Sequence, residues 1–255
     1  MSDGASAATS TGAERSPPGS GRSAGIRGKL RAIGVALGLL LAGLAGSVVL
    51  GVVFTVPLVL FGGPLSDSVT FLVLAAVGQV GFLAVGGTYV RRAGGVPVRR
   101  PTRRDLAYAG GGLLAALVLV LAVSVVATVA GVAPSGSVFD DPIARDPTVA
   151  LGLAALSIVL VAPAEELLFR GAIQGRLRRA FGPAGAIGGA SLLFGSIHVV
   201  NFTGSAAGAL VGAGVVTVGG AVFGVVYERT GNLLVPIASH AAYNTTLLVL
   251  AFLAA

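Results

Sequence analysis

Apolar residues gather into seven long runs, and the polar residues between them form short breaks. The runs cover residues 32–61, 69–90, 106–132, about 151–176, about 186–201, 206–226 and 233–253. Most match the ~20 residues an α-helix needs to cross a hydrocarbon core ~30 Å thick. The first run is too short for two spans and about twice the length of a signal-peptide core, so it predicts one helix that tilts or ends near Pro57. Residues 1–28 are rich in Ser, Gly, Ala and Pro and lack apolar periodicity, which predicts a disordered tail. The expected fold is all-α: a polytopic transmembrane helix bundle of about seven spans, with 29–255 as one membrane domain.

The placement of charge orients this bundle. Arg15, Arg22, Arg27, Lys29 and Arg31 precede the first run, and Arg91, Arg92, Arg99, Arg100, Arg103 and Arg104 fill the second loop. Arg176, Arg178, Arg179 and Arg229 fall on the same side, whereas the opposite loops hold Asp67, Asp140, Asp141 and Asp146 with the single cation Arg145. Cations collect in cytoplasmic loops, so the chain is expected to run N-in, C-out.

Composition narrows the chemistry. The chain is 55% hydrophobic and only 11% charged over 255 residues, far more apolar than soluble domains, so the bilayer is its expected partner. The net charge of +7 is explained by arginines at the ends of apolar runs, and no nucleic-acid partner is expected. Cysteine is absent, which excludes disulfides, thiolate metal sites and cysteine nucleophiles. Neither a phosphate-binding loop nor a dinucleotide fingerprint is present. The 40 glycines include small-residue spacings at Gly204, Gly208 and Gly212 and at Gly220 and Gly224, which read as close helix packing.

Against this background a few ionisable residues stand out. The fourth run contains Pro163-Ala164-Glu165-Glu166-Leu167-Leu168-Phe169-Arg170. Charges at such positions are costly in hydrocarbon and rarely idle. Glu166 and Arg170 are four apart and can neutralise each other, while Glu165 is rotated by about 100° toward another neighbour. The only two histidines, His198 and His240, also fall in apolar runs, and His240 shares a helix face with Asn244.

Depth ties these residues together. At ~1.5 Å per residue, Glu165 lies ~16 Å from Arg176, His198 ~18 Å from Ala186, and His240 and Asn244 roughly 10 and 17 Å from Leu233. All four therefore sit at similar depths, near the middle of the bilayer and toward its cytoplasmic half. Glu with His can activate water, and His with Asn can donate to a developing oxyanion, which together supply peptide hydrolysis. Two His and one Glu is also a catalytic zinc set, but His-Glu-x-x-His spacing is lacking, so no metal or cofactor is expected and zinc is the lesser alternative.

The ordered motifs Glu165-Glu166-x-x-x-Arg170, Phe194-x-x-x-His198 and His240-x-x-x-Asn244, with the Tyr227-Glu-Arg-Thr-Gly-Asn232 turn, resemble the CAAX-protease and bacteriocin-processing membrane peptidases. The resemblance covers about residues 150–250, which would be the catalytic core. It implies that Glu165 with His198 activates the water, His240 with Asn244 forms the oxyanion hole, and Glu166 with Arg170 supports the site, without metal. It also implies a membrane-associated polypeptide substrate, a CAAX-like prenylated one among the options, and a multi-pass protein of a prokaryotic cell membrane. Two other functions fit the buried polar set: a transporter relaying protons through midplane carboxylates and histidines, and a noncatalytic membrane scaffold. The first lacks repeat symmetry, and the intact polar set argues against the second.

Overall fold

The structure is a computed structural model that describes residues 25–65, 67–133 and 136–255. Residues 1–24 of the expected tail lie outside the described residues, and residues 26–28 already belong to the first helix. The long helices are α1 (Ile26–Leu60), α2 (Ser68–Arg92), α3 (Arg103–Val129), α8 (Ala206–Thr230) and α9 (Leu234–Ala254), together with a composite helix over Thr148–Asn201. Among the described residues six helices are thus long and apolar enough to cross a membrane, and the chain is an integral, multi-pass membrane protein.

The composite helix accounts for two of the seven spans read from the sequence. A straight helix of its 54 residues would measure ~80 Å, more than twice the hydrocarbon thickness. It folds back at Gly182, whose φ of 70° and ψ of −178° suit only glycine, and Pro183 cannot donate to the preceding turn. The Phe169 and Phe194 rings, 25 residues apart, therefore meet edge to face at 5.0 Å. The ascending arm comprises α5 (Thr148–Leu156), a π turn (Ser157–Val161), α6 (Ala162–Glu166), a second π stretch (Leu167–Gln174) and the start of α7 (Gly175–Ile197). The rest of α7 descends to a 3₁₀ turn at His198–Asn201.

Local chemistry sets the boundaries. The Asp67 side chain accepts from the Val69 and Thr70 amides to start α2. A reciprocal Thr102 and Asp105 capping box starts α3 earlier than the apolar run alone suggested. α1 ends near Pro57 as expected, three residues beyond it: the proline sits in the last turn, and the Phe61 amide bonds to the Pro57 carbonyl. Two elements have no counterpart in the sequence reading. These are the short α4 (Asp140–Arg145) and a two-residue pairing of β1 (Gly136–Ser137) with β2 (Phe202–Thr203). That pairing, with Val138 N–H donating to the Asn201 carbonyl, ties the α3–α5 loop to the turn that carries His198.

At the opposite end the turn at 227–232 is a clamp. Gly231 takes the left-handed conformation (φ 57°) that ends α8, and the buried Asn232 amide exchanges hydrogen bonds with the Arg99 backbone at 3.0 and 3.2 Å. Leu233 N–H adds a bond to the Pro97 carbonyl, so the α2–α3 loop is fastened to the start of α9. Glu228 in the same motif holds Gln174 and Arg178 of the ascending arm.

Candidate active site

Both carboxylates of the pair stand in the single α-helical turn between two π stretches. Pro163 opens this region, because it has no N–H for the carbonyl one turn earlier and its ring crowds that carbonyl. Inserted residues of this kind widen a helix and collect at functional sites. The result directs Glu165 and Glu166 toward different partners while both stay buried, 5% and 0% exposed.

Glu166 anchors the cluster. Its Oε2 lies 3.1 Å from Nε of the fully buried Arg170, the i,i+4 pair read from the sequence. Its Oε1 lies 2.9 Å from His240 Nδ1, which donates to the carboxylate. Arg170 continues into α8, donating from one terminal nitrogen to the Gly220 carbonyl at 2.9 Å, and its guanidinium lies over the Phe194 ring at 5.0 Å. One turn on, Gln174 donates to the Gly224 carbonyl at 3.1 Å. Gly220 and Gly224 therefore clear room for polar side chains to reach the α8 backbone: a Cβ at Gly220 would approach Phe194 at 3.0 Å, and one at Gly224 would approach the Gln174 side chain at 3.0 Å. The close-packing reading of these two glycines is thereby refined. What packs against them is an arginine and a glutamine.

Glu165 faces another way. Its Oε1 accepts from Gln79 Nε2 at 3.3 Å, and its Oε2 lies 3.8 Å from His240 Nε2, beyond hydrogen-bond length. His240 is held on its flat side by Phe223, stacked at 4.8 Å and 17°. The ring of Phe194 contacts both histidines, at 5.8 Å from His240 and 4.5 Å from His198. His198 Nδ1 lies 2.7 Å from the Phe194 carbonyl, which can only accept, so Nδ1 carries a proton and Nε2 is left for other partners. His198 and Asn244 are partly exposed, unlike the buried Glu165, Glu166, Arg170 and His240.

The structure thus brings Glu165, Glu166, Arg170 and His240 into one cluster and joins His198 to it through Phe194. His240 is bonded to Glu166, and among the described residues Asn244 makes no side-chain hydrogen bond and Glu165 has none to His198. Gln79 is the addition. Its only sequence signal is that it is the sole amide or charged side chain of the run 69–90. Among the described residues no three His, Asp or Glu side chains converge as a metal site. A cavity of about 660 Å³ between α3 and α8, lined by Arg104, Tyr108, Gly112, Val222 and neighbours, contains none of the cluster residues.

Every motif residue of this cluster lies within one matched segment. Residues 147–246 match the family model described as Rce1-like: type II CAAX prenyl endopeptidase Rce1-like. The match agrees with the membrane peptidase family recognised from the motifs, and the matched family is one of proteases. It begins at α5 and ends within α9, so α1 to α3, and with them Gln79, lie outside it. No curated protein and no solved structure matches the chain.

Proposed function

We propose that the protein is an intramembrane endopeptidase that hydrolyses a peptide bond of a membrane-presented polypeptide, a prenylated CAAX-type C-terminus being the favoured substrate class. The observation that carries this reading is the convergence of Glu165, Glu166, Arg170 and His240 at one buried point, inside the segment that matches a prenyl endopeptidase family. Glu165 is the base: ion pairing commits Glu166 to Arg170 and His240, whereas Glu165 keeps an oxygen facing a 3.8 Å gap beside His240 Nε2. His198 Nε2, free because Nδ1 donates to the Phe194 carbonyl, orients the water that Glu165 deprotonates. Hydroxide adds to the scissile carbonyl, and the proton taken by Glu165 passes to the leaving amine.

His240 and Asn244 are the oxyanion donors in this scheme. With Nδ1–H donated to Glu166, His240 donates to the oxyanion through Nε2–H, so both ring nitrogens carry a proton in this scheme. The reading is metal-free, and Arg170 already places a cation in the cluster.

Reconstitution separates this from the alternatives. Proteoliposomes of the full chain should cleave an internally quenched farnesylated peptide ending in Cys-aliphatic-aliphatic-X, before and after stringent chelation, without moving protons or solute. Loss on chelation with recovery on stoichiometric zinc would return Glu165, His198 and His240 to ligand roles. Proton flux without cleavage would favour a relay.

A further inference from the structure

Gln79 occupies an unusual position. It is the polar member of a stripe on α2 formed with Phe82 and Gly86, spaced three and four apart so that all face the carboxylate-bearing helix. Phe82 meets the Phe169 ring at 6.4 Å, and a Cβ at Gly86 would come within 3.0 Å of the Leu168 backbone. α2 is therefore in close contact with the segment just after Glu166, and this contact sets how far Gln79 reaches. Its Nε2 lies 3.3 Å from Glu165 Oε1. An ionised carboxylate only accepts, so the amide must present its NH₂ to Glu165, and its Oε1 points elsewhere. That oxygen is buried and has no hydrogen-bond partner among the described residues.

Glu165 is thereby held from α2 through Oε1, and its Oε2 is left toward His240 Nε2. We infer that Gln79 is a positioning residue of the hydrolytic site: its NH₂ fixes Glu165 through Oε1 and so holds the other oxygen, on the His240 side, in place to take the proton of the attacking water. The inference rests on the hydrolytic reading of the cluster and extends it to a helix outside the matched segment. In the step itself one water O–H bond breaks and its proton goes to Glu165. The oxygen forms a bond to the scissile carbonyl carbon as the carbonyl π pair moves to oxygen. The second O–H stays intact, donating to His198 Nε2, and so directs the attacking lone pair. The C–N bond then breaks as Glu165 returns its proton to the leaving nitrogen.

Two readouts on the full chain in lipid nanodiscs test this. The infrared carboxyl band of Glu165 is assigned as the band lost in Glu165→Gln. Gln79→Met, which keeps the length and removes both polar atoms, should shift that band, because its donor is gone. On the farnesylated peptide the same variant should lose about 10- to 100-fold in kcat with KM within about twofold, the signature of a contact used in the reaction rather than in binding. Gln79→Leu provides a second apolar variant should the first not fold. An unmoved band, or a kcat within about twofold of the parent, would overturn the inference. If Glu165→Gln still cleaved, the hydrolytic reading would fail instead, and the band alone would decide whether Gln79 holds that carboxyl.

Discussion

At the residue scale the cluster is a chain of dependencies. Glu166 is ion-paired with Arg170 through one oxygen and hydrogen-bonded to His240 through the other, and Arg170 in turn relies on Gly220 and Phe194. Removing the guanidinium leaves a carboxylate buried beside another carboxylate, and uncompensated buried charges of this kind cost about 3–5 kcal/mol. Arg170→Leu should therefore lower expression and the melting temperature in detergent sharply. Asn244→Ala, at a partly exposed side chain with no internal hydrogen bond among the described residues, should melt as the parent does. Its turnover should fall by ~10²–10³, the usual cost of one oxyanion donor, and an unchanged turnover would remove Asn244 from the site. The identities of these residues were legible in the sequence, because charge in an apolar run needs a reason. Their pairings were not. Spacing places His240 and Asn244 on one helix face, but which side chain across the bundle bonds to His240 depends on helix rotation that two π stretches alter.

At the element scale the ascending arm is the unusual part. The gap between the fourth and fifth apolar runs marked where the chain turns, and the structure assigns the turn to Gly182. A residue with a Cβ at φ 70°, ψ −178° occupies a region that is nearly glycine-only, at a cost of order 1–3 kcal/mol. Gly182→Ala should lower thermal stability, whereas Gly188→Ala, where an added Cβ meets nothing within 4 Å, should be neutral or slightly stabilising. Equal melting temperatures for the two would contradict the fold-back geometry. The π stretches, α4 and the β1–β2 pairing were illegible for a common reason. Each depends on partners distant in sequence, and hydropathy reports only how apolar a window is. The 227–232 turn was visible as a motif, but its job became clear only when Asn232 was found bonded to the Arg99 backbone.

At the scale of the whole molecule, the count of crossings follows from seven apolar runs and the fold-back, and the arginine distribution adds a side to each end. The chain has no native cysteine, so single cysteines report cleanly. Val98→Cys in the α2–α3 loop should react with an impermeant maleimide only from the cytoplasm, and Val138→Cys in the α3–α5 loop only from outside. Both side chains are exposed, and the opposite pattern at both would reverse the proposed topology. What this assembly achieves, on the proposed reading, is a water activated by one carboxylate that the rest of the bundle holds in place without committing it to Arg170. The most direct test is the cleavage rate of Glu165→Gln in protein that melts and elutes as the parent does. The account predicts activity at background on the farnesylated peptide, because the substitution keeps shape and removes only the base; near-native cleavage by this variant would contradict it.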